Sequence, residues 1–153
     1  PGSMRMFERV RPRDINIEAG VASERIELAY FVFNDAALNT FSLELAKERA
    51  GGAYRIVDEV TIVAEPLEAL LERYVPEGTR IDVMSVDVEG LDYEVLLSND
   101  WARFAPEFLL VESLTAGSLE DVMRDPIACL LREKGYVMAA KTMRTILFRR
   151  SAP

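Results

Sequence analysis

Arg80-Ile-Asp-Val-Met-Ser-Val-Asp-Val-Glu-Gly90 is the stretch on which the fold turns. Apolar residues dominate it and polar ones come only at intervals, which predicts a strand covered on both faces, as in the parallel sheets of α/β proteins. Gly90 breaks the run, and a helix is expected from about Leu91 to Leu97. After a loop holding Asn99, Asp100 and Trp101 comes a second apolar strand, Glu107-Phe-Leu-Leu-Val-Glu112. Strand, helix and strand make one βαβ unit.

Upstream, Pro66 opens a helix in which Leu67, Leu70, Leu71 and Tyr74 form one apolar stripe. Tyr54 to Val63 is a strand candidate interrupted by Asp58 and Glu59, which suggests an edge position. Ser42 is placed to cap a short helix through Arg49, stopped by Gly51-Gly52. Earlier still, Asp14 to Val21 and Ile26 to Phe33 read as the two arms of a hairpin around Ala22 to Arg25, and Asn34 to Thr40 as a loop. Downstream, Asp125-Pro126 opens a helix through Lys134 with Gly135 as its stop. Tyr136 to Ala140 and Thr145 to Phe148 then form an antiparallel pair around Lys141 to Arg144. The sum is an α/β fold, a mixed sheet with an antiparallel C-terminal hairpin and helices on its faces. Pro1-Gly2-Ser3 before Met4 reads as an expression scar, leaving 4–153 as a single domain.

Composition narrows the function. At 153 residues the chain suits one domain of the usual ~100–200. Eighteen basic residues against 26 acidic ones give a net charge of −8, which repels phosphate backbones and argues against nucleic acid as a partner. No run approaches the ~18 apolar residues of a membrane span, and no basic-then-apolar leader opens the chain, so a cytoplasmic protein with no membrane partner is expected. The single Cys forbids an internal disulfide. With no His at all, proton chemistry falls to carboxylates, Lys, Tyr or the thiol.

In open α/β sheets ligands bind beyond the carboxyl ends of parallel strands, and here those ends carry Asp87-Val88-Glu89-Gly90 and Glu112-Ser113. Carboxylates that converge in a crevice repel one another and raise one another's pKa unless a hydroxyl, an amine or a cation relieves them. The competing reading is that Asp87 and Glu89 cap the following helix. Asp87, Glu89 and Glu112 could also offer oxygens to a hard cation, although no acidic loop of calcium-binding spacing is present and no metal is assigned. Asn39, Thr40 and Phe41 belong to a loop dense in side chains that recognise polar ligands, or simply to a turn. Cys129 reads as a core residue, Trp101 with Phe104 as an aromatic anchor, and Arg149-Arg150 as a solvated end.

The Ile81 to Gly90 block, continued by Leu91-Asp-Tyr-Glu-Val-Leu96, resembles the FkbM-type S-adenosylmethionine-dependent methyltransferases. Arg11 to Asn16, Ala19-Gly20-Val21, Phe33-Asn34-Asp35, Leu38 to Ser42, Pro106 to Glu112 and Gly135-Tyr136 agree with it, so the likeness runs from Arg11 to Phe148. It implies a Rossmann-like sheet of seven strands ending in an antiparallel hairpin. It also implies methyl transfer to a hydroxyl of a small metabolite or sugar. Asp87, with Glu89 second, would assist the acceptor's proton. Asp87 and Gly90 would face the cofactor, and Asn39, Thr40, Phe41 and Glu112 the acceptor. The chain departs from the family in one respect. None of its eight glycines forms a Gly-x-Gly turn after an early apolar strand, so the first two βα units are expected to be missing. The strand through Val88 would then be left with a bare edge open to a second copy of the chain. Two rival readings stand beside methyl transfer: a non-catalytic module that binds or assembles through that edge, and a carboxylate-metal hydrolase.

Overall fold

The computed structural model describes residues 4–88, 90–113 and 118–151. In chain order its elements are α1 (Met4–Val10), β1 (Gly20–Val21), β2 (Ile26–Phe33), a 3-10 turn (Ala36–Leu38), α2 (Leu43–Arg49), β3 (Ile56–Glu65) and α3 (Leu67–Tyr74). There follow β4 (Val83–Val86), α4 (Asp92–Leu97), β5 (Phe108–Glu112), α5 (Leu119–Arg124), α6 (Pro126–Glu133), β6 (Tyr136–Lys141) and β7 (Thr145–Arg150). The strands form two mixed sheets, ordered β1-β3-β2 and β4-β5-β7-β6.

The four-stranded sheet is built on the expected βαβ unit. β4 and β5 pair in parallel from Val83 with Phe108 to Val86 with Val111. β7 runs antiparallel to both β5 and β6, so the terminal hairpin is present. Leu109 and Val111 on β5 are buried with Ile146 and Phe148 on β7 against Val95 and Leu96 of α4 and Ile127, Leu130 and Leu131 of α6. On α6 these side chains recur at the spacing that puts them on one face. Tyr136 closes the far end of this core: its hydroxyl donates to Pro106 O at 2.6 Å, and its ring meets Trp101 edge-on with centroids 5.6 Å apart.

Three expectations are corrected here. Of Asp14 to Val21 only Gly20 and Val21 are strand, and they pair in parallel with β3 and not with β2. β2 instead lies antiparallel to β3 along its length. That register buries Phe31 and Phe33 against Ala46 of α2, a gain the short first arm could not match. β3 is therefore the centre of its sheet and not an edge. Asp58 and Glu59 are tolerated because they remain exposed, opposite Val32 and Phe31. The strand expected over Arg80 to Val88 shrinks to four residues and is not covered on both faces, since Val83, 57% exposed, and Ser85 leave one face open. Two helices were not anticipated. α1 buries no residue, so it has no apolar stripe to read. α5 is announced by a reciprocal cap, the Ser118 side chain taking the Asp121 amide while Asp121 takes that of Ser118.

The two sheets meet through short contacts. Ser98 at the end of α4 receives Leu67 N on its hydroxyl at 3.0 Å and Glu68 N on its carbonyl at 3.1 Å, tying α3 to the βαβ unit.

Burial pushes the Tyr136 phenol up to about 12, with Arg150 pulling weakly the other way. The folded state thus favours the neutral phenol: its contribution is complete below the ordinary 10 and is lost as pH rises from there to about 12. Urea unfolding on either side of this window should show a loss of about 2–3 kcal/mol at most. Tyr136→Phe should remove that pH dependence while costing about 1 kcal/mol at neutral pH.

Candidate functional site

Val86 and Val111 are the last parallel pair, so Asp87 and Glu112 follow them side by side, Glu112 still paired with Thr145 of β7. Beyond them opens a cleft of about 370 Å³ lined by Gly90, Asp92, Tyr93, Glu112, Ser113 and Asp125, with Pro126 and Ile127. Each arrives by a local rule. Gly90 turns the chain out of β4 with φ at 103°, a conformation that favours glycine. Asp92 is the first residue of α4 and is 5% exposed. Its two carboxylate oxygens accept from Val88 N and Gly90 N, each at 3.3 Å, so it holds the very turn that precedes it. Asp125 caps α6 by accepting from Ile127 N at 2.8 Å, while Ser113 Oγ donates to its other oxygen at 3.4 Å.

The electrostatics are one-sided. Among the described residues Asp92, Glu112 and Asp125 are the charged ones of the lining, and no Lys or Arg joins them. Burial pushes the Asp92 carboxyl up from its ordinary value; the amides of Val88, Gly90 and Asp92 itself pull it down, and the charge of Asp87 raises it again. Such a lining accepts hydrogen bonds from hydroxyls or amines and disfavours anions. Among the described residues no group of three or more His, Cys, Asp or Glu is placed to hold a metal ion.

The residues singled out from sequence divide. Gly90 and Glu112 line the cleft. Asp87 is exposed and outside the lining, though its charge reaches Asp92. Glu89 lies outside the described residues. Asn39, Thr40 and Phe41 go elsewhere. Asn39 Oδ1 accepts from Phe33 N at 2.8 Å, Thr40 exchanges backbone hydrogen bonds with Phe31, and Thr40 Oγ1 accepts from Ser42 N at 3.0 Å. Phe41 tilts against Tyr30 at 4.7 Å and lines a separate cavity with Val60 and Ile62. These are the bonds of a turn fastened to β2. The same loop nevertheless leads into α2, whose Leu45 fills the space a side chain would take at Gly90.

Cys129 is half-buried and accepts from Arg132 at 3.3 Å. Trp101 donates to Leu96 O at 3.1 Å, as an anchor does. Sequence reasoning missed Asp92, Tyr93 and Asp125 as parts of one site, while Ser113 was named with Glu112 at its strand end. Asp92 could have been found as an acid two residues past a turn glycine, where a short carboxylate reaches back to backbone amides.

The family model for the methyltransferase FkbM domain matches residues 6–138. The chain belongs to the FkbM methyltransferase family. Among curated proteins it is similar to methyltransferase sdnD of Sordaria araneosa, 34% identical over 100 residues that make up 61% of this chain and 36% of that protein. The chain thus spans little more than a third of that relative's length. No solved structure matches it.

FkbM methyltransferases generally use S-adenosylmethionine. A nucleoside in an open α/β sheet is held by a tight glycine turn after a strand and by an acid on the neighbouring strand. Among the described residues the glycine that follows a strand of the parallel pair is Gly90, and Leu45 occupies the space beside it. The described residues therefore do not fit the nucleoside.

Two outcomes follow from this geometry. Gly90→Ala should destabilise the fold by about 1–2 kcal/mol in thermal or urea unfolding, since an L side chain is strained at this φ. Its Cβ would also meet Leu45 Cδ1 at 3.0 Å, so adding Leu45→Ala should cost less than the sum of the two changes. Because the Asp92 carboxyl is raised on folding, the native state holds its proton more tightly. Stability should therefore fall as pH rises through the window just above the ordinary 3.8. Asp92→Asn should flatten that part of the pH profile.

Proposed function

We propose that this FkbM family member forms the acceptor-binding part of an S-adenosylmethionine-dependent O-methyltransferase with a Rossmann-like sheet, acting on a hydroxyl of a small metabolite or sugar. The observation that carries the reading is the cleft at the carboxyl ends of the parallel pair β4 and β5, inside the family match. The sheet order β4-β5-β7-β6, parallel and then antiparallel, supports it as the hairpin-ending half of such a sheet.

On this reading Glu112 and Asp125 accept hydrogen bonds from the acceptor's hydroxyls, and Tyr93, Pro126 and Ile127 pack on its carbon skeleton. Asp87, leaving β4 beside Glu112, takes the proton from the hydroxyl oxygen that becomes the nucleophile. Orientation does much of the work, because a fixed oxygen converts a bimolecular encounter into a local step. Glu89, between Val88 and Gly90 in the sequence, is the second candidate for the proton.

A different function is favoured by one observation, the bare outer edge of β4 with Val83 exposed. On that reading the chain is a non-catalytic module that assembles through the edge, with a second copy as one occupant.

Methyl transfer from radiolabelled S-adenosylmethionine to hydroxylated acceptors, by a longer version of the protein that binds the cofactor, tests the first reading. Asp87→Asn should lower turnover by ~10²-fold or more, and Glu112→Gln should raise the acceptor's KM. Turnover unchanged in both variants would sink the assignment. A chain that gives no heat in calorimetric titration with hydroxylated acceptors and elutes as a dimer would favour the module.

A further inference from the structure

A second hollow lies at the opposite end of the four-stranded sheet. β4 and β5 begin there, and β7, antiparallel to β5, ends there, with Phe108 opposite Arg149 and Arg150 N donating to Glu107 O at 2.8 Å. The space measures about 440 Å³, and among the described residues Arg80, Arg149 and Arg150 meet in its lining with a single carboxylate, Glu107. Arg80 is already engaged, with Asp82 at 3.0 Å and with Glu107. Arg149 and Arg150 are exposed and make no ion pair among the described residues. In a chain of net charge −8 this one hollow carries an excess of positive charge.

Two arginines in succession on a strand leave it on opposite faces. Both nevertheless line the same hollow. The guanidinium fork matches the oxygens of a phosphate two at a time and stays charged at any physiological pH. Glu107 keeps lone pairs beyond those Arg80 uses, and a carboxylate so placed accepts a hydroxyl proton. The volume falls within the ~300–1,000 Å³ of small-molecule sites. The acidic cleft at the other end of the sheet disfavours the same ligand.

We propose that this hollow binds a phosphate monoester of a hydroxylated small molecule, with Arg149 and Arg150 on the phosphate and Glu107 on a hydroxyl. It is a site separate from the cleft and does not depend on methyl transfer.

Titration of the whole chain with inorganic phosphate, glucose 6-phosphate and glucose, followed through the backbone amide resonances of Ile81, Ala105 and Ser151, tests this. Both phosphates should give saturable shifts, glucose 6-phosphate at lower concentration, and glucose none. Arg149→Gln with Arg150→Gln should weaken binding by about tenfold or more, and Lys at both positions should restore part of it. Unfolding curves of the variants should match the wild type, because both side chains are exposed. Absence of saturable shifts with either phosphate, or equal binding by the double Gln variant, overturns the site. Equal affinity for free phosphate and the sugar phosphate overturns the role of Glu107.

Discussion

The parallel pairing of β4 with β5 is the constraint from which the rest follows. Four aligned residue pairs, Val83 with Phe108 through Val86 with Val111, bring both strands to an end on the same side. Parallel strands need a crossover, so α4 must return the chain across the sheet, and in doing so it buries Val95 and Leu96 on Leu109 and Val111. A slip of one residue would turn Leu109 and Val111 away from that face. The core would lose its centre, and the carboxylates of Asp87 and Glu112 would no longer emerge together.

Alignment also sorts charge. Carboxylates gather where the parallel strands finish, at Glu112 and around the Gly90 turn, while guanidiniums gather where they start and β7 finishes. Each end is therefore suited to ligands that the other repels. The Gly90 turn is held from two directions: Asp92 takes its amides from within the βαβ unit, and Leu45 of α2 packs against it from the other sheet. A binding wall made of backbone keeps its shape only when held in this way.

Much of this was legible in the residues. The βαβ unit, the capped helix after Ser42, the helix after Pro66 and the terminal hairpin all carry local signals, either an apolar period or a named cap. Pairing partners were not legible where two candidates competed. Ile26 to Phe33 stood next to one possible arm and found a better one some 30 residues on, because burial of Phe31 and Phe33 decides between them. The site was half legible. Strand ends announce themselves through Glu112 and Gly90, whereas Asp125 reached the cleft from a helix start more distant in sequence, and only the packing of α6 put it there. The Asn39 to Phe41 loop is the opposite case. Its polar atoms look made for a ligand and are used on the protein's own backbone.

Among the described residues β4 has a neighbour on one side only. In a parallel ladder alternate residues aim both their N–H and C=O at the same flank, so β5 engages every second residue of β4 and water meets the others. A four-residue strand of this kind is protected from deuterium in a one-on, one-off pattern. The wall that carries Asp87 is accordingly backed by a backbone that solvent can pry open more readily than any part of β5.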